Sequence, residues 1–172
     1  MKRTGFTLIE LLVVISIIAA IIALAIPNYL GARQRANDSK KKSEMAQLKN
    51  ALRLYYNDFN KYPCGTATPP CGVGNGMAMY GCGVLGTSAC SAASSFSTGA
   101  ADENVYMKKL PTGFLASVYF YYQGLGPNSD DFCLRVILDN KSDPDIAISQ
   151  SRCATACGAN CSASGRYCVC AD

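Results

Sequence analysis

The first thirty residues constrain this chain more than all the rest. Lys2-Arg3-Thr4-Gly5 precedes Phe6-Thr7-Leu8-Ile9-Glu10, and from Leu11 to Ile26 the only polar side chain is Ser16. A helix of about 20 apolar residues spans a bilayer core, and a carboxylate inside such a segment is costly unless a partner meets it. Residues 6–27 therefore read as a membrane-compatible helix with one anomaly. Glu10 needs a partner.

An ordinary secretory signal explains the run poorly. Its small-residue cleavage site follows the apolar region, whereas Gly5 precedes it here. A plain single-pass anchor accommodates the length but leaves Glu10 unexplained. Lys2 and Arg3 lie before the run, and Arg33, Arg35, Lys40, Lys41 and Lys42 lie after it. Charge counting alone would place the C-terminal side in the cytoplasm.

The cysteines argue the reverse. All ten lie beyond residue 63: Cys64, Cys71, Cys82, Cys90, Cys133, Cys153, Cys157, Cys161, Cys168 and Cys170. That density implies an oxidising, extracytoplasmic compartment and a disulfide-tied head. Zinc is the rival: Cys153, Cys157 and Cys161 would share one face of a helix, but the paired CxxC spacing of zinc ribbons is absent. Ten cysteines allow on the order of a thousand pairings. Cys133, in an expected strand, and Cys153, just beyond the last one, form the candidate closure of the C-terminal loop.

Gly-Phe-Thr-Leu-Ile-Glu-Leu after a short basic leader closely resembles the class III signal segment of type IV pilins and type II secretion pseudopilins. The resemblance covers roughly residues 1–60. It implies cleavage after Gly5 by a prepilin peptidase, N-methylation of Phe6, and pairing of Glu10 with the N-terminal amine of a neighbouring subunit. It further implies an inner-membrane assembly platform with an ATPase motor. The chain would stand in the cytoplasmic membrane with its head outside, held in lipid before assembly, and then in a surface or periplasmic filament.

Four segments follow. Residues 1–5 are the leader, 6–27 the transmembrane and filament-core helix, 28–60 the amphipathic half of the same helix, and 61–172 a cysteine-rich head. Pro27 removes a backbone donor, so a kink is expected near residues 23–27. Met45, Leu48, Leu52, Tyr55 or Tyr56, and Phe59 recur at helical spacing and form a stripe that packs on the domain's own sheet. The whole helix would be about 80 Å long, ending at Lys61-Tyr62-Pro63. Residues 64–104, rich in Gly, Ser and Thr, read as disulfide-tied loops with one short helix. Residues 117–123 and 132–138 read as an antiparallel strand pair, with residues 146–149 as a third strand. The fold class is α+β and pilin-like: a long N-terminal helix on a small antiparallel sheet, with disulfide-rich loops.

Residues 106–111 and 139–146 resemble segments of major pseudopilins, whose second segment holds calcium. Carried over, the ligands would be Asp139 and Asp143, with Asp145 adjacent. Clustered oxygens suit a hard cation, but the family's glycine-rich approach is missing and Lys141 sits inside the loop. The ten tyrosines read as helix–sheet packing rather than an electron path or a nucleic-acid stacking surface. Asn37-Asp-Ser39 and Asn140-Lys-Ser142 match the glycosylation pattern, which occurs often by chance.

Histidine is absent, which removes Ser-His-Asp and Cys-His nucleophiles and leaves a membrane-anchored enzyme unfavoured. Losing Lys2 and Arg3 would lower the formal charge of +4 by two. Nucleic acid is not indicated by so small a surplus. The preferred reading is a type IV pilus-like structural subunit; the alternative is a type II secretion major pseudopilin. A minor pilin that binds DNA or surfaces ranks below both.

Overall fold

A computed structural model describes residues 6–65, 79–99, 103–114, 118–123 and 130–171. The chain divides into two compact units, Met1–Asn37 and Asp38–Asp172. Helix α1, Leu8–Phe59, begins in the first and ends in the second.

In the first unit the helix is apolar from Leu11 to Ile26 apart from Ser16. Its large hydrophobic side chains, from Phe6 to Ile26, are between 47% and 82% exposed. Ser16 satisfies itself by donating to the Val13 carbonyl at 2.8 Å. No single described helix is both long and apolar enough to cross a membrane; Leu8–Leu24 and Asn28–Phe59 meet that requirement together, as a bent pair. Gly5 lies outside the described residues, as do Cys71 and the rest of residues 66–78.

In the second unit α1 turns amphipathic. Met45, Leu48, Leu52 and Tyr55 are buried as the stripe requires, while Phe59 is half-buried against the core. The helix stops at Asn60, whose φ of 51° is the left-handed turn that asparagine tolerates. Its N–H closes on the Tyr56 carbonyl at 2.7 Å.

The stripe packs on a three-stranded antiparallel sheet of β5 (Tyr119–Gln123), β6 (Phe132–Ile137) and β7 (Arg166–Cys170), with β6 in the middle. The expected β5–β6 pair forms in the register Tyr121↔Leu134. Because side chains alternate, Phe132, Leu134 and Val136 face the α1 core with Tyr119 and Tyr121. Cys133 faces the opposite side with Tyr122, Cys168 and Cys170. Both faces of β6 are therefore buried.

One expectation fails here. Residues 146–149 are not a strand: they lie in helix α2, Pro144–Arg152. Asp143 is its N-cap and accepts from the Asp145 N–H at 3.0 Å, and Pro144 supplies a fixed φ at the first turn. These start signals outweigh the short Ile-Ala-Ile alternation. The third strand is β7, entered through Gly165 at φ 76°. In the loop-like region no helix occurs among the described residues. Instead β1 (Tyr80–Cys82) pairs with β2 (Ser88–Ala89), and β3 (Phe96–Thr98) with β4 (Asn104–Met107). Strands of two to four residues are too short to leave a periodic pattern.

The disulfides are Cys82–Cys90, Cys133–Cys157, Cys153–Cys170 and Cys161–Cys168, and Cys64 is also disulfide-bonded. The expected Cys133–Cys153 pair is therefore wrong. Cys133 and Cys170 sit directly opposite one another on β6 and β7. Above them Cys153 and Cys157 lie one turn apart, joined by the Cys157 N–H to Cys153 carbonyl bond at 2.9 Å. Two rungs thus run from one turn of helix, around α3 (Ala154–Cys157), to one cross-strand pair. The nearer sulfur for Cys133 is on Cys157.

Cys133–Cys157 closes a separation of 24 residues, and such a crosslink contributes about 2–4 kcal/mol, chiefly by restricting the unfolded chain. Replacing both residues by alanine should lower the head's unfolding free energy by about that much. Urea titration followed by far-UV circular dichroism measures it.

Candidate functional site

Two groups of polar side chains stand out, one in each unit. The first is at the start of α1. Thr7 donates to Glu10 Oε2 through its N–H at 2.9 Å and its hydroxyl at 2.7 Å, and the Glu10 N–H returns to Thr7 Oγ1 at 3.3 Å. This is a capping box: threonine at the cap and glutamate three residues on satisfy each other's orphan donors. Thr7 was not singled out from the sequence, although the Thr-x-x-Glu spacing was there to read. Glu10 is the only acidic residue in the first turn, and the exposed apolar helix continues directly from it.

The second group joins α1 to the loop after β6. Asp38, only 2% exposed, accepts from the backbone N–H of Asp139 at 2.7 Å and of Asn140 at 2.8 Å. Lys41 donates to Asp139 Oδ1 at 2.7 Å and to the Ile137 carbonyl at 3.0 Å. Lys42 reaches both Asp143 oxygens at 2.8 Å and Asp145 Oδ2 at 2.7 Å. Asp38 gave no local signal in the sequence, since its partners lie about a hundred residues away.

This arrangement lends the calcium expectation no support. Asp139 is engaged by Lys41, and Asp143 and Asp145 share the Lys42 ammonium, so the charge a divalent ion would supply already comes from lysine. Among the described residues these carboxylates do not converge on one point as a metal site requires; the one convergent set is the sulfurs of Cys133, Cys157 and Cys168. Those sulfurs belong to two disulfides and offer no thiolate. The helical face proposed for zinc also breaks, because Gly158–Asn160 winds as a 3-10 turn before Cys161.

Tyrosine hydroxyls complete the helix–sheet seam. Tyr121, fully buried, donates to the Pro63 carbonyl at 2.6 Å, and Tyr119 donates to Glu44. Tyr106 donates to Asp58 at 2.7 Å. Burial pushes the Tyr55 phenol up to about 12. These are packing roles, as expected from the sequence.

With this geometry in place, comparison with known proteins is informative. Residues 1–26 match the prokaryotic N-terminal methylation motif. That segment contains the capped Glu10 and the start of the exposed apolar helix. The chain is 40% identical over 62 residues to type II secretion system core protein G of Aeromonas hydrophila, covering 36% of this chain and 43% of that protein. It is 42% identical over 62 residues to the protein of the same name in Escherichia coli K12, with the same coverages. It is 46% identical over 63 residues to the type IV wide pilus major component PilA4 of Thermus thermophilus, covering 37% and 48%. The chain thus spans less than half the length of the curated relatives it matches. No solved structure matches it.

The lysine–aspartate latch has a defined pH response. The Lys42 hydrogen bond, offset in part by burial, holds the Asp143 carboxyl below its usual 3.8. Burial pulls Lys42 down, but its bonds to Asp143 and Asp145 outweigh that and hold it above 10.5. Stability from Asp143 is therefore present above pH 3.8 and lost as pH falls through its depressed value. Stability from Lys42 is present below 10.5 and lost as pH rises through its raised value. Lys42→Met should flatten both limbs of the head's melting temperature against pH, measured from pH 2 to 12 by thermal circular dichroism.

Proposed function

We propose that this protein is the structural subunit of a type IV pilus-like helical filament, assembled through its N-terminal helix. The observation that carries the reading is the first unit: an apolar helix exposed on every side, beginning at a capped glutamate inside a matched methylation motif. A surface of that kind needs lipid or other helices around it. Prepilin peptidase cuts after Gly5, Phe6 becomes the methylated N-terminus, and Glu10 pairs with the Phe6 amine of a neighbouring copy. Before assembly the helix lies in the cytoplasmic membrane with the disulfide-stapled head outside; an assembly platform and ATPase motor then move it into the filament. The role is structural rather than enzymatic.

Leaving lipid for a filament core gains little hydrophobic free energy, because both surroundings are apolar. Helix packing and the Glu10–amine pair therefore set register. The second reading, a type II secretion pseudopilus subunit, is favoured by the names of the Aeromonas and Escherichia relatives. The cysteine-rich head and the lysine-filled acidic loop favour the pilus.

N-terminal mass spectrometry should find mature protein starting at methylated Phe6; intact Met1 or a cut beyond residue 27 would refute the processing. Electron microscopy of sheared cell surfaces should show filaments containing the chain. Glu10→Ala should leave membrane insertion unchanged while reducing filament number at least tenfold, and wild-type filament numbers from that variant would sink the assigned role.

A further inference from the structure

The β3–β4 ribbon carries opposite charges at the two ends of its outer strand. Sequence positions 102 and 103 are Asp-Glu and positions 108 and 109 are Lys-Lys, with only β4 between them. At the acidic end an open groove of about 340 Å³ is walled by Leu54, Asp58, Glu103, Val105 and Tyr106. Leu54 and Val105 are 52% and 47% exposed, two apolar walls left uncovered beneath two carboxylates. That combination suits a long basic side chain, whose methylene stem lies along apolar surface while its head meets the acids. Among the described residues Glu103, Lys108 and Lys109 form no ion pair, and all three are exposed.

We propose that this groove receives the Lys108-Lys109 pair of a second copy of the chain, reciprocally, about a two-fold axis near the middle of β4. Charge pattern selects this occupant. Acid and base stand on one strand, so a two-fold rotation about its middle places each lysine pair at the other copy's groove and makes the contact twice. A parallel, unshifted arrangement would set like charges together. Side chains rather than backbone make the contact: the register of β4 against β3 shifts between the Phe96↔Met107 and Ser97↔Val105 pairs, and such an irregularity blunts an edge against strand addition.

An isologous contact closes at two copies and cannot propagate a helical polymer. Its place is thus between filaments, pairing heads of neighbouring fibres side by side. That consequence rests on the filament reading, whereas the pairing itself does not.

The test uses the full chain. Light scattering of the detergent-solubilised protein at low salt should report a dimer that dissociates as salt is raised. Glu103→Lys, and separately Lys108→Glu with Lys109→Glu, should each weaken dimerisation at least tenfold with unchanged thermal unfolding. An equimolar mixture of the two variants should dimerise again, because each then offers the charge the other lacks. On cells, each variant should produce single filaments in wild-type number but fewer lateral bundles. Reversals without effect, or a mixture that fails to recover, would overturn the proposal. Absence of any filament from the wild type would instead strike the filament reading, and the dimer measurement would still decide this one.

Discussion

Strand β6 holds the head together because both of its faces are buried by different means. One face meets the α1 stripe through Phe132, Leu134 and Val136, all fully buried. The other meets a layer built largely from sulfur. Cys133 anchors that layer directly, and Arg135, 9% exposed, lies with its guanidinium 4.1 Å from the Phe120 ring centre and 5.4 Å from that of Tyr122. A desolvated cation between two π faces recovers part of its lost hydration. The four short elements after β6 cannot bury much apolar area alone, so crosslinks supply what a larger core would. Asp38 then fixes the exit from β6 by capping the backbone N–H groups of Asp139 and Asn140. The helix and the disulfide layer thus both depend on one strand buried on its two faces.

What the sequence made legible follows from the range of the signal. The α1 stripe and the β5–β6 pair repeat over many residues or sit between clear turn formers, and both appear where expected. The cap at Asp143-Pro144 was equally local, yet the two isoleucines of Ile146-Ala-Ile148 were read as a strand. Capping chemistry outranked a three-residue alternation, with only Ile146 buried and Ile148 left exposed. β7 has its own cue in Gly165 followed by Arg-Tyr-Cys-Val-Cys, masked because cysteine serves as a crosslink as readily as a strand residue. Disulfide pairing could not be read at all. It is decided by which side chains the β6–β7 register places beneath which turn of helix, a property of tertiary structure.

The acidic loop shows how one composition can carry two electrostatic solutions. Clustered aspartates must be neutralised by a metal, by protons or by cations of the protein. Here α1 delivers Lys41 and Lys42 one residue apart, and each takes a different part of the loop. Paired charges of this kind at intermediate exposure contribute modestly. Their value lies in geometry: they fix the loop against the helix while Asp143 caps α2. A chain that spends two lysines here has satisfied its carboxylates internally.

Glu10 can be treated by the same accounting of partners. A bare carboxylate in an apolar helix would be forbidding, but Thr7 already gives it two donors, one from its backbone and one from its hydroxyl. The capping box therefore lowers the cost of holding the charge near the membrane surface before any neighbour arrives. On the filament reading proposed above, assembly would be an exchange: hydrogen bonds to Thr7 would be supplemented or replaced by an ammonium on another copy, a stronger partner for an ionised acid. The difference between those two states, and not the full cost of a buried charge, is what the proposed Glu10 pairing would contribute to filament formation. A residue can thus be tolerated in the monomer and still decide register in the polymer, which is the combination that a subunit stored in lipid and later packed into a fibre requires.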